Sequence, residues 1–269
     1  MSGSSRANYS GLRARLDQRR DDPALPGLSG ELFAAADVIG ADPHLPSALS
    51  DSGQPVAARQ AMVAALFGSR LSATAVEVLA DVVGQRWSAP VEIMESLEGI
   101  AAQAGFLVSD RDGTLDAVEN DLFAFAQTVS GSADLQMALT NPALTSGQKS
   151  DLVRELLEGR ALPQSVEVLA YAMGHLRGRR TDSVLEDLSE VAAEQRDRSV
   201  AQVRVARPLD EDQAARLGAA LSRLQGRDIR LNVAIDPEMI GGISVRIGNE
   251  LIDATVAHRI EQARRALVG

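Results

Sequence analysis

A repeat with an offset of 90 residues runs through the first two thirds of the chain. Sliding the sequence against itself by that offset aligns residues 31–87 with residues 121–177 without a gap, and about 16 of roughly 57 pairs are identical. The run Val-Glu-Val-Leu-Ala, for example, occupies positions 76–80 and again 166–170. Apolar positions recur along with the identities. Both segments are therefore predicted to fold as the same structural unit.

The repeated unit has the apolar spacing of amphipathic helices. Leu12 and Leu16 lie four residues apart, and the later helices show the same three- and four-residue spacing between Pro and Gly breaks. We expect a mainly α protein that begins with two tandem, related, six-helix-type bundles, in residues 1–106 and 107–198. The segment 90–106 can serve as the last helix of the first bundle or the first helix of the second.

The last part of the chain, residues 199–269, changes from helical to alternating periodicity. Residues 229–235 and 243–247 alternate apolar and polar side chains, as strands with one buried face do. The turn-forming residues between them are Asp236, Pro237, Gly241 and Gly242. Because Pro presets a turn and Gly allows sharp reversals, the two strands are predicted to pair as a β-hairpin.

Further elements complete a small α+β domain. Residues 199–206 alternate like a strand, and Asp210 with Gln213 forms a capping-box pattern for a following helix. The residues expected on the buried face of that helix are Ala214, Leu217, Leu221 and Leu224. Gly248 marks a second reversal, and Asp253 is predicted to cap a C-terminal basic helix.

Composition excludes several classes of function. The formal net charge is −10 and aromatic residues make up 3% of the chain, which argues against nucleic acid as a partner. There is no cysteine, so disulfides and thiolate metal sites are ruled out. No signal peptide is evident and no run of eighteen apolar residues occurs, so we expect no direct membrane insertion.

Two motifs carry a family resemblance. The segment D-P-x-x-x-G-G-I-x-V-x-x-G-N-x-x-I-D-x-T begins at Asp236 and includes Pro237, Gly241, Gly242, Gly248 and Asp253. It resembles the signature of the delta subunit of F-type ATP synthases, the family of the mitochondrial oligomycin-sensitivity-conferring protein. Asn141, Pro142 and Lys149 resemble a second family segment, N-P-x-[IL]-x-x-x-x-K. The first copy departs from that segment, with Arg59 in place of the lysine.

The resemblance implies a non-catalytic stator subunit in the peripheral stalk, without cofactor or metal. Such a subunit joins the N-terminal helices of the alpha subunits in the catalytic head to the membrane-anchored b subunit, and it resists the torque of the rotor. One copy per complex is expected, held peripherally at the cytoplasmic face of a bacterial cell membrane. The duplicated bundle and high alanine content are similar to the long form of high-G+C Gram-positive bacteria.

The family also suggests where the alpha-subunit helix is bound, namely between the first and fifth helices of the bundle. In the first copy, the matching residues are Leu12, Leu16, Val76, Leu79 and Val83. In the second copy, the equivalent strip consists of Val166, Leu169 and Met173.

Two other functions remain open from the residues alone. A helical-repeat adaptor unrelated to ATP synthase would explain the duplication but not the C-terminal signature. The run Asp110-Arg111-Asp112-Gly113-Thr114 resembles the D-x-D-G-T motif of magnesium-dependent haloacid-dehalogenase-type phosphatases, in which Asp110 would be the nucleophile and Asp112 the acid–base. An inter-helix loop is the favoured interpretation, because no strand precedes it and no strands follow before residue 199. The histidines His44, His175 and His258 lie in separate elements, without metal-ligand spacing.

Overall fold

The computed structural model describes residues 3–225, 229–236, 239, 241–247 and 250–253. The chain divides into two compact units, a helical unit of Met1–Ala192 and a mixed unit of Ala193–Gly269. The expected mainly α architecture with a small C-terminal sheet is confirmed. The predicted bundle boundary after residue 106 falls inside a helix, so the division of the helical part stays a prediction.

The helical unit is built entirely of helices in its described residues. Its elements are α1 (Gly3–Asp17), α2 (Leu25–Ala41), α3 (Leu45–Ser50), α4 (Val56–Phe67), α5 (Ala73–Gly84), α6 (Pro90–Arg111), α7 (Leu115–Gly131), α8 (Ala133–Thr140), α9 (Ser146–Leu157), α10 (Pro163–Gly174) and α11 (Thr181–Ser199). One apolar core extends from Leu12 in α1 to Ala192 in α11. The boundary between the two units falls within α11.

Helix α6 is the centre of this core. Its side chains are buried on nearly every side, from Ile93 and Leu97 to Phe106 and Leu107. It packs against α1, α2, α3 and α5 and also against α7 and α10. Polar residues of α6 such as Gln103 and Asp110 are buried as well, because neighbouring helices surround it. The segment 90–106, which lies between the two repeated segments in the sequence, therefore packs against helices of both.

Buried polar pairs tie the N-terminal segment to α6. Ser5 Oγ donates to Glu92 at 2.6 Å, and Arg13 Nε donates to the Gln103 side chain at 2.9 Å. Beyond the end of α1, Arg20 forms a buried ion pair with Asp110 at 2.6 Å. Buried polar groups need partners of matching position, so these pairs fix the alignment of this segment along α6.

The mixed unit contains a four-stranded sheet and a helix. Its described elements are β1 (Val200–Val205), α12 (Glu211–Gln225), β2 (Arg230–Ile235), β3 (Ile243–Ile247) and β4 (Glu250–Asp253). The strand order is β2-β1-β3-β4; β1 pairs parallel with β2 and antiparallel with β3, while β3 pairs antiparallel with β4. The inward-facing side chains of β1, namely Ala201, Val203 and Val205, form a small core with Leu221 of α12 and with Val245 and Ile247 of β3.

The predicted hairpin of residues 229–235 with 243–247 is wrong. Strand β1 lies between these two segments, because its Ala201, Val203 and Val205 form the most buried row of the sheet. The antiparallel pair that is consecutive in sequence is β3 with β4. Strand β2 is left at the edge, so the expected burial of Val233 and Ile235 also fails, with Ile235 55% exposed.

Helix α12 has the predicted N-terminal cap, but one of the residues expected on its buried face is exposed. Asp210 and Gln213 form the expected reciprocal capping contacts, with each backbone N–H donating to the other residue's side chain. Leu221 is buried and Leu217 is half-buried. Leu224 is 67% exposed, contrary to the prediction.

Candidate partner-binding surfaces

The predicted strip on the first copy lies almost entirely in the core. Leu12, Leu16, Leu79 and Val83 are buried, whereas Val76 is half-buried. These side chains hold α1 and α5 in the helical unit. Any contact with a partner here would be made by Val76 and the surface residues around it.

Two ion pairs bridge α1 and α5 at the surface above that strip. Arg15 pairs with Asp81 at 2.9 Å, and Arg19, just beyond α1, pairs with Glu77 at the same distance. Most of these side chains keep substantial exposure, so each pair contributes little to stability. The face of α5 that carries Glu77 and Asp81 is therefore polar and accessible.

The equivalent strip on the second copy is also mostly buried. Leu169 and Met173 lie in the core, and Val166 is half-buried. The adjacent face of α10 packs against α2, where the Tyr171 ring stacks on Phe33 with centroids 4.0 Å apart. Tyr171 in turn stacks on His175 at 4.1 Å. Helix α2 thus covers in the second copy the face that is open in the first.

Charged groups around this stack have shifted pKa values. Burial lowers the pKa of His175, but its hydrogen bonds to the Asp37 carboxylate and to the Tyr171 carbonyl outweigh burial, and the net shift is upward. The two ring nitrogens face these acceptors at 2.9 Å each. For the acids Tyr171 and Glu167, burial disfavours the charged form and therefore raises the pKa. The cluster thus favours an uncharged phenol and a protonated imidazole.

Matching hydrogen bonds occur at positions 90 residues apart. Glu31 accepts from the backbone N–H and hydroxyl of Ser72, at the start of α5. Asp121 accepts from the backbone N–H of Leu162 and from the Ser165 hydroxyl, at the start of α10. Each carboxylate supplies an acceptor to donors at a helix N-terminus, where negative charge is stabilised.

The Asn-Pro motif of the second copy forms a capped turn. Asn141 Oδ1 accepts from the backbone N–H of Ala143 at 2.9 Å, and Thr145 with Gln148 forms a capping box at the start of α9. Lys149 is half-buried on α9.

In the first copy, Arg59 stands at the position of Lys149. Arg59 is 1% exposed and donates to the carbonyls of Val83 and Gln85. Since these carbonyls lie at the C-terminal end of α5, the departure from the motif is a structural group that satisfies the end of a helix.

The C-terminal signature places its turn beside β1. The backbone N–H of Asp236 donates to Val205 O at 2.9 Å, and its carboxylate pairs with Arg204. Gly242 has a φ of 88°, which favours glycine. Asp253 is the last residue of β4. Pro237, Gly248 and the helix that Asp253 was predicted to cap lie outside the described residues.

Comparison with known proteins decides the family. The model of the ATP synthase delta (OSCP) subunit matches residues 100–267. The ATP synthase subunit delta of Salinispora arenicola is 39% identical over 98% of this chain and 97% of its own length, and that of Streptomyces griseus is 36% identical over the whole of both. The chain belongs to the ATP synthase delta (OSCP) family. A chain of the Toxoplasma gondii mitochondrial ATP synthase hexamer covers 64% of this chain, and 98% of its own length aligns, with 23% identity and a TM-score of 0.36, too low to indicate a shared arrangement.

Members of this family are structural, non-catalytic subunits, and the geometry of the alternative site agrees. Asp110 lies in the last turn of α6, is buried, and is paired with Arg20. Asp112 lies at the end of the same helix and pairs with Arg111. The phosphatase interpretation is therefore wrong, because that motif needs a strand to present two free carboxylates.

The histidines lie in separate parts of the chain. His175 belongs to the stack between α2 and α10, and His44 precedes α3. His258 lies outside the described residues. Within the described part of the chain, no group of three His, Cys, Asp or Glu side chains could hold a metal ion. Among the described helices, none is long and apolar enough to cross a membrane.

Sequence reasoning missed one surface feature. Phe123 on α7 is 65% exposed, whereas Phe33, its equivalent in the first copy, is 5% exposed. The repeat treats the two residues alike, since both follow a Leu and precede an Ala. The position of α10 against α2 separates them. The one sequence signal that points to it is the change from Asp81 on α5 to Tyr171 on α10.

Proposed function

We propose that this chain is the peripheral-stalk subunit that joins the catalytic head of a bacterial F-type ATP synthase to its b subunit. Family membership over the full length of the relatives carries the proposal. The helical unit would bind the N-terminal helices of the alpha subunits, and the mixed unit would bind the b subunit. One copy would sit in each complex, peripherally at the cytoplasmic face of the membrane.

The packing of the helical unit suits a part that bears load. One apolar core runs through it without a break, and α6 lies inside that core. Close-packed interiors have low compressibility and transmit strain. The buried pairs of Arg13 with Gln103 and of Arg20 with Asp110 oppose sliding of the N-terminal segment along α6. Such a joint needs stiffness and contact area and no reacting group.

The proposed contact with an alpha-subunit helix is the surface of α1 and α5. Leu12, Leu16, Leu79 and Val83 would shape it from beneath, while Val76 and the Glu77–Arg19 and Asp81–Arg15 pairs would meet the partner. Helix recognition of this kind places an apolar stripe in a groove with charges along the rim. In the second copy, Val166 is the most accessible member of the matching strip, with Leu169 and Met173 behind it.

We further propose that the helical unit is a duplication of one bundle, with residues 1–106 and 107–198 as its two halves. The support is the agreement of helix bounds after an offset of 90 residues. The pairs are Leu25–Ala41 with Leu115–Gly131, Val56–Phe67 with Ser146–Leu157, and Ala73–Gly84 with Pro163–Gly174. Residues 199–269 would form the stalk-binding part.

Deletion of the last part tests the division of labour. We expect a chain that ends at residue 198 to bind the isolated catalytic head as the full chain does, because the core of the helical unit ends at Ala192. The same chain should lose the b subunit in co-purification. Far-UV circular dichroism confirms that the truncated chain is folded. Loss of head binding by a folded truncated chain, or retention of the b subunit, would overturn the assignment.

A further inference from the structure

One face of α7 is left open at positions whose equivalents in the first copy are covered. The residues of this face recur three or four positions apart and are all exposed: Asn120, Phe123, Gln127 and Ser130. Their equivalents on α2 are Gly30, Phe33, Asp37 and Gly40, which meet α10 and the residues that follow it. Among the residues that the structure describes, none covers α7 as α10 covers α2.

The covered copy shows what kind of element fits such a face. The Glu167 carboxylate lies over Gly30, Tyr171 stacks on Phe33, and His175 pairs with Asp37. Residue numbers rise together on the two helices, so α10 runs parallel to α2. It presents side chains at positions i, i+4 and i+8, which share one face of a helix. The occupant of the α2 face is thus a parallel helix with a ring at its middle position.

The substitution of Gly30 by Asn120 changes the shape of this face. A Cβ added at Gly30 would lie 2.7 Å from Glu167 Oε1, so a larger residue there would displace the end of the Glu167 side chain. Asn120 fills that space in the second copy. A helix that packs on α7 in the same manner therefore needs a small residue opposite Asn120.

The charge of α7 sets the chemistry of its occupant. The sequence of this helix contains three acidic residues and no basic one, within a chain of net charge −10. Asp116 lies one turn before Asn120 on the same face and is exposed. An acidic residue opposite Asp116 would be repelled, whereas Lys or Arg would be attracted.

We propose that the α7 face centred on Phe123 binds a basic amphipathic helix of a partner protein. The helix lies parallel to α7 and places an aromatic or large aliphatic side chain on the Phe123 ring. Four positions earlier it carries a small residue opposite Asn120, and one further turn back a basic residue opposite Asp116. Stacked rings add specific geometry to the burial of apolar area, and an exposed ring on a face of matched spacing suits helix-in-groove recognition. The proposal does not rest on the stalk role.

A designed peptide tests this proposal with the intact chain. The probe is residues 159–178 of this sequence, held helical by a staple on the side away from the contact and labelled for fluorescence anisotropy. Pro163→Lys supplies the basic residue and Glu167→Ala the small one, while Tyr171 is kept as the ring. Leu169→Gln and Met173→Gln make the side that is buried in the chain soluble in the peptide.

The full-length chain is compared with two single variants of similar exposure. We expect Phe123→Ala to weaken binding of the probe about ten-fold and Leu224→Ala, an exposed apolar residue elsewhere, to leave it unchanged. Asp116→Asn should weaken binding less and should reduce its dependence on salt. A second probe with Pro163→Glu in place of Pro163→Lys should bind more weakly than the first.

Several results would overturn the proposal. One is that the lysine-bearing probe fails to bind. Another is that binding is equal in the wild type and Phe123→Ala, which places the peptide elsewhere, such as on α2 in exchange for α10. Unchanged unfolding of Phe123→Ala in urea separates a lost contact from a lost fold, as expected for an exposed side chain.

Sedimentation tests a second copy of this chain as the occupant. The proposal expects a monomer at the concentrations used for the peptide titration, with Phe123 free to meet the probe. A dimer that dissociates in Phe123→Ala would overturn the proposal, because the occupant of the α7 face would then be a second copy of this chain.

Discussion

Helices α5 and α10 are equivalent in sequence and meet opposite surroundings. On α5, Glu77 and Asp81 form ion pairs with arginines and remain accessible. On α10, Glu167 and Tyr171 occupy the same positions and lie under α2. The run Val-Glu-Val-Leu-Ala is the same in both copies and places its second Val and its Leu in the core, whereas position 81/171 changes from Asp to Tyr.

This difference shows that buried and exposed positions of the repeat are constrained by different requirements on their side chains. Interior positions must fill the same volume in both copies, because cores tolerate little change in shape. Exterior positions depend on whether a neighbour is present. Phe33 and Phe123 are identical residues that meet these two conditions, which makes them the sharpest pair for testing the comparison.

The largest effect is expected from Phe33→Ala. The ring is 5% exposed and stacks on Tyr171, so its removal should lower the free energy of unfolding of the helical unit by about 3–5 kcal/mol. Phe123→Ala is the matched control and should change it by less than about 0.5 kcal/mol. Urea unfolding followed by circular dichroism measures both. Equal losses would show that the two faces do not differ as described.

A somewhat smaller loss is expected from Arg59→Met. The substitution keeps most of the volume but removes the donor to the carbonyls of Val83 and Gln85, which should cost about 2–4 kcal/mol. Lys149→Met, at the equivalent position of the second copy, should change stability by about 0.5 kcal/mol or less. The urea midpoints of the two variants give the comparison. If Lys149→Met proved as costly, the lysine of the family motif would have a structural role like that of Arg59.

The two helix-start carboxylates should behave alike. Glu31→Ala and Asp121→Ala each remove an acceptor from the N-terminus of a fifth helix, and each should cost about 1 kcal/mol. Because the sites share no hydrogen-bond partner, the double variant should show the sum of the two losses. Thermal and urea unfolding of the four chains measure the additivity. A large departure from the sum would mean that the copies are coupled through α6 at these positions.

The smallest effect concerns pH. The folded-state pKa of His175 is raised above its ordinary value of 6.5, so its pairing with Asp37 stabilises the fold fully below that value and is lost as pH rises through the folded-state pKa. Asp37 is about half exposed, which limits the contribution to less than about 1 kcal/mol. The stability difference between the wild type and His175→Gln, measured from pH 5 to pH 9, should shrink as pH rises. A difference that grows with pH would contradict the assignment.

The sequence predicts the helices and the caps well because both depend on local spacing. The helices, the capping boxes at Thr145 and Asp210 and the family motifs were all legible from residues within a few positions of one another. For α6, the sequence leaves open whether it is the last helix of the first bundle or the first helix of the second. The helix contacts helices of both repeated segments, which local spacing does not reveal.

Sheet order and surface exposure were not predictable in the same way. The alternating runs at 229–235 and 243–247 indicate strands, but nothing local indicates that β1 inserts between them. Likewise, six of the eight residues chosen for partner binding lie in the core, because the apolar spacing that marks a groove also marks an interior. Periodicity reports which face is apolar and does not report what covers it.

Helix α6 has a mechanical consequence. At 22 residues and about 1.5 Å per residue, it is a rod of roughly 33 Å whose length is set by hydrogen-bonded backbone. Helices α1 and α10 both pack against α6, so the length of this one helix fixes the distance between them along its axis. Lengthening α6 by one residue would rotate everything beyond the insertion by about 100°, and no adjustment of side chains could restore the spacing.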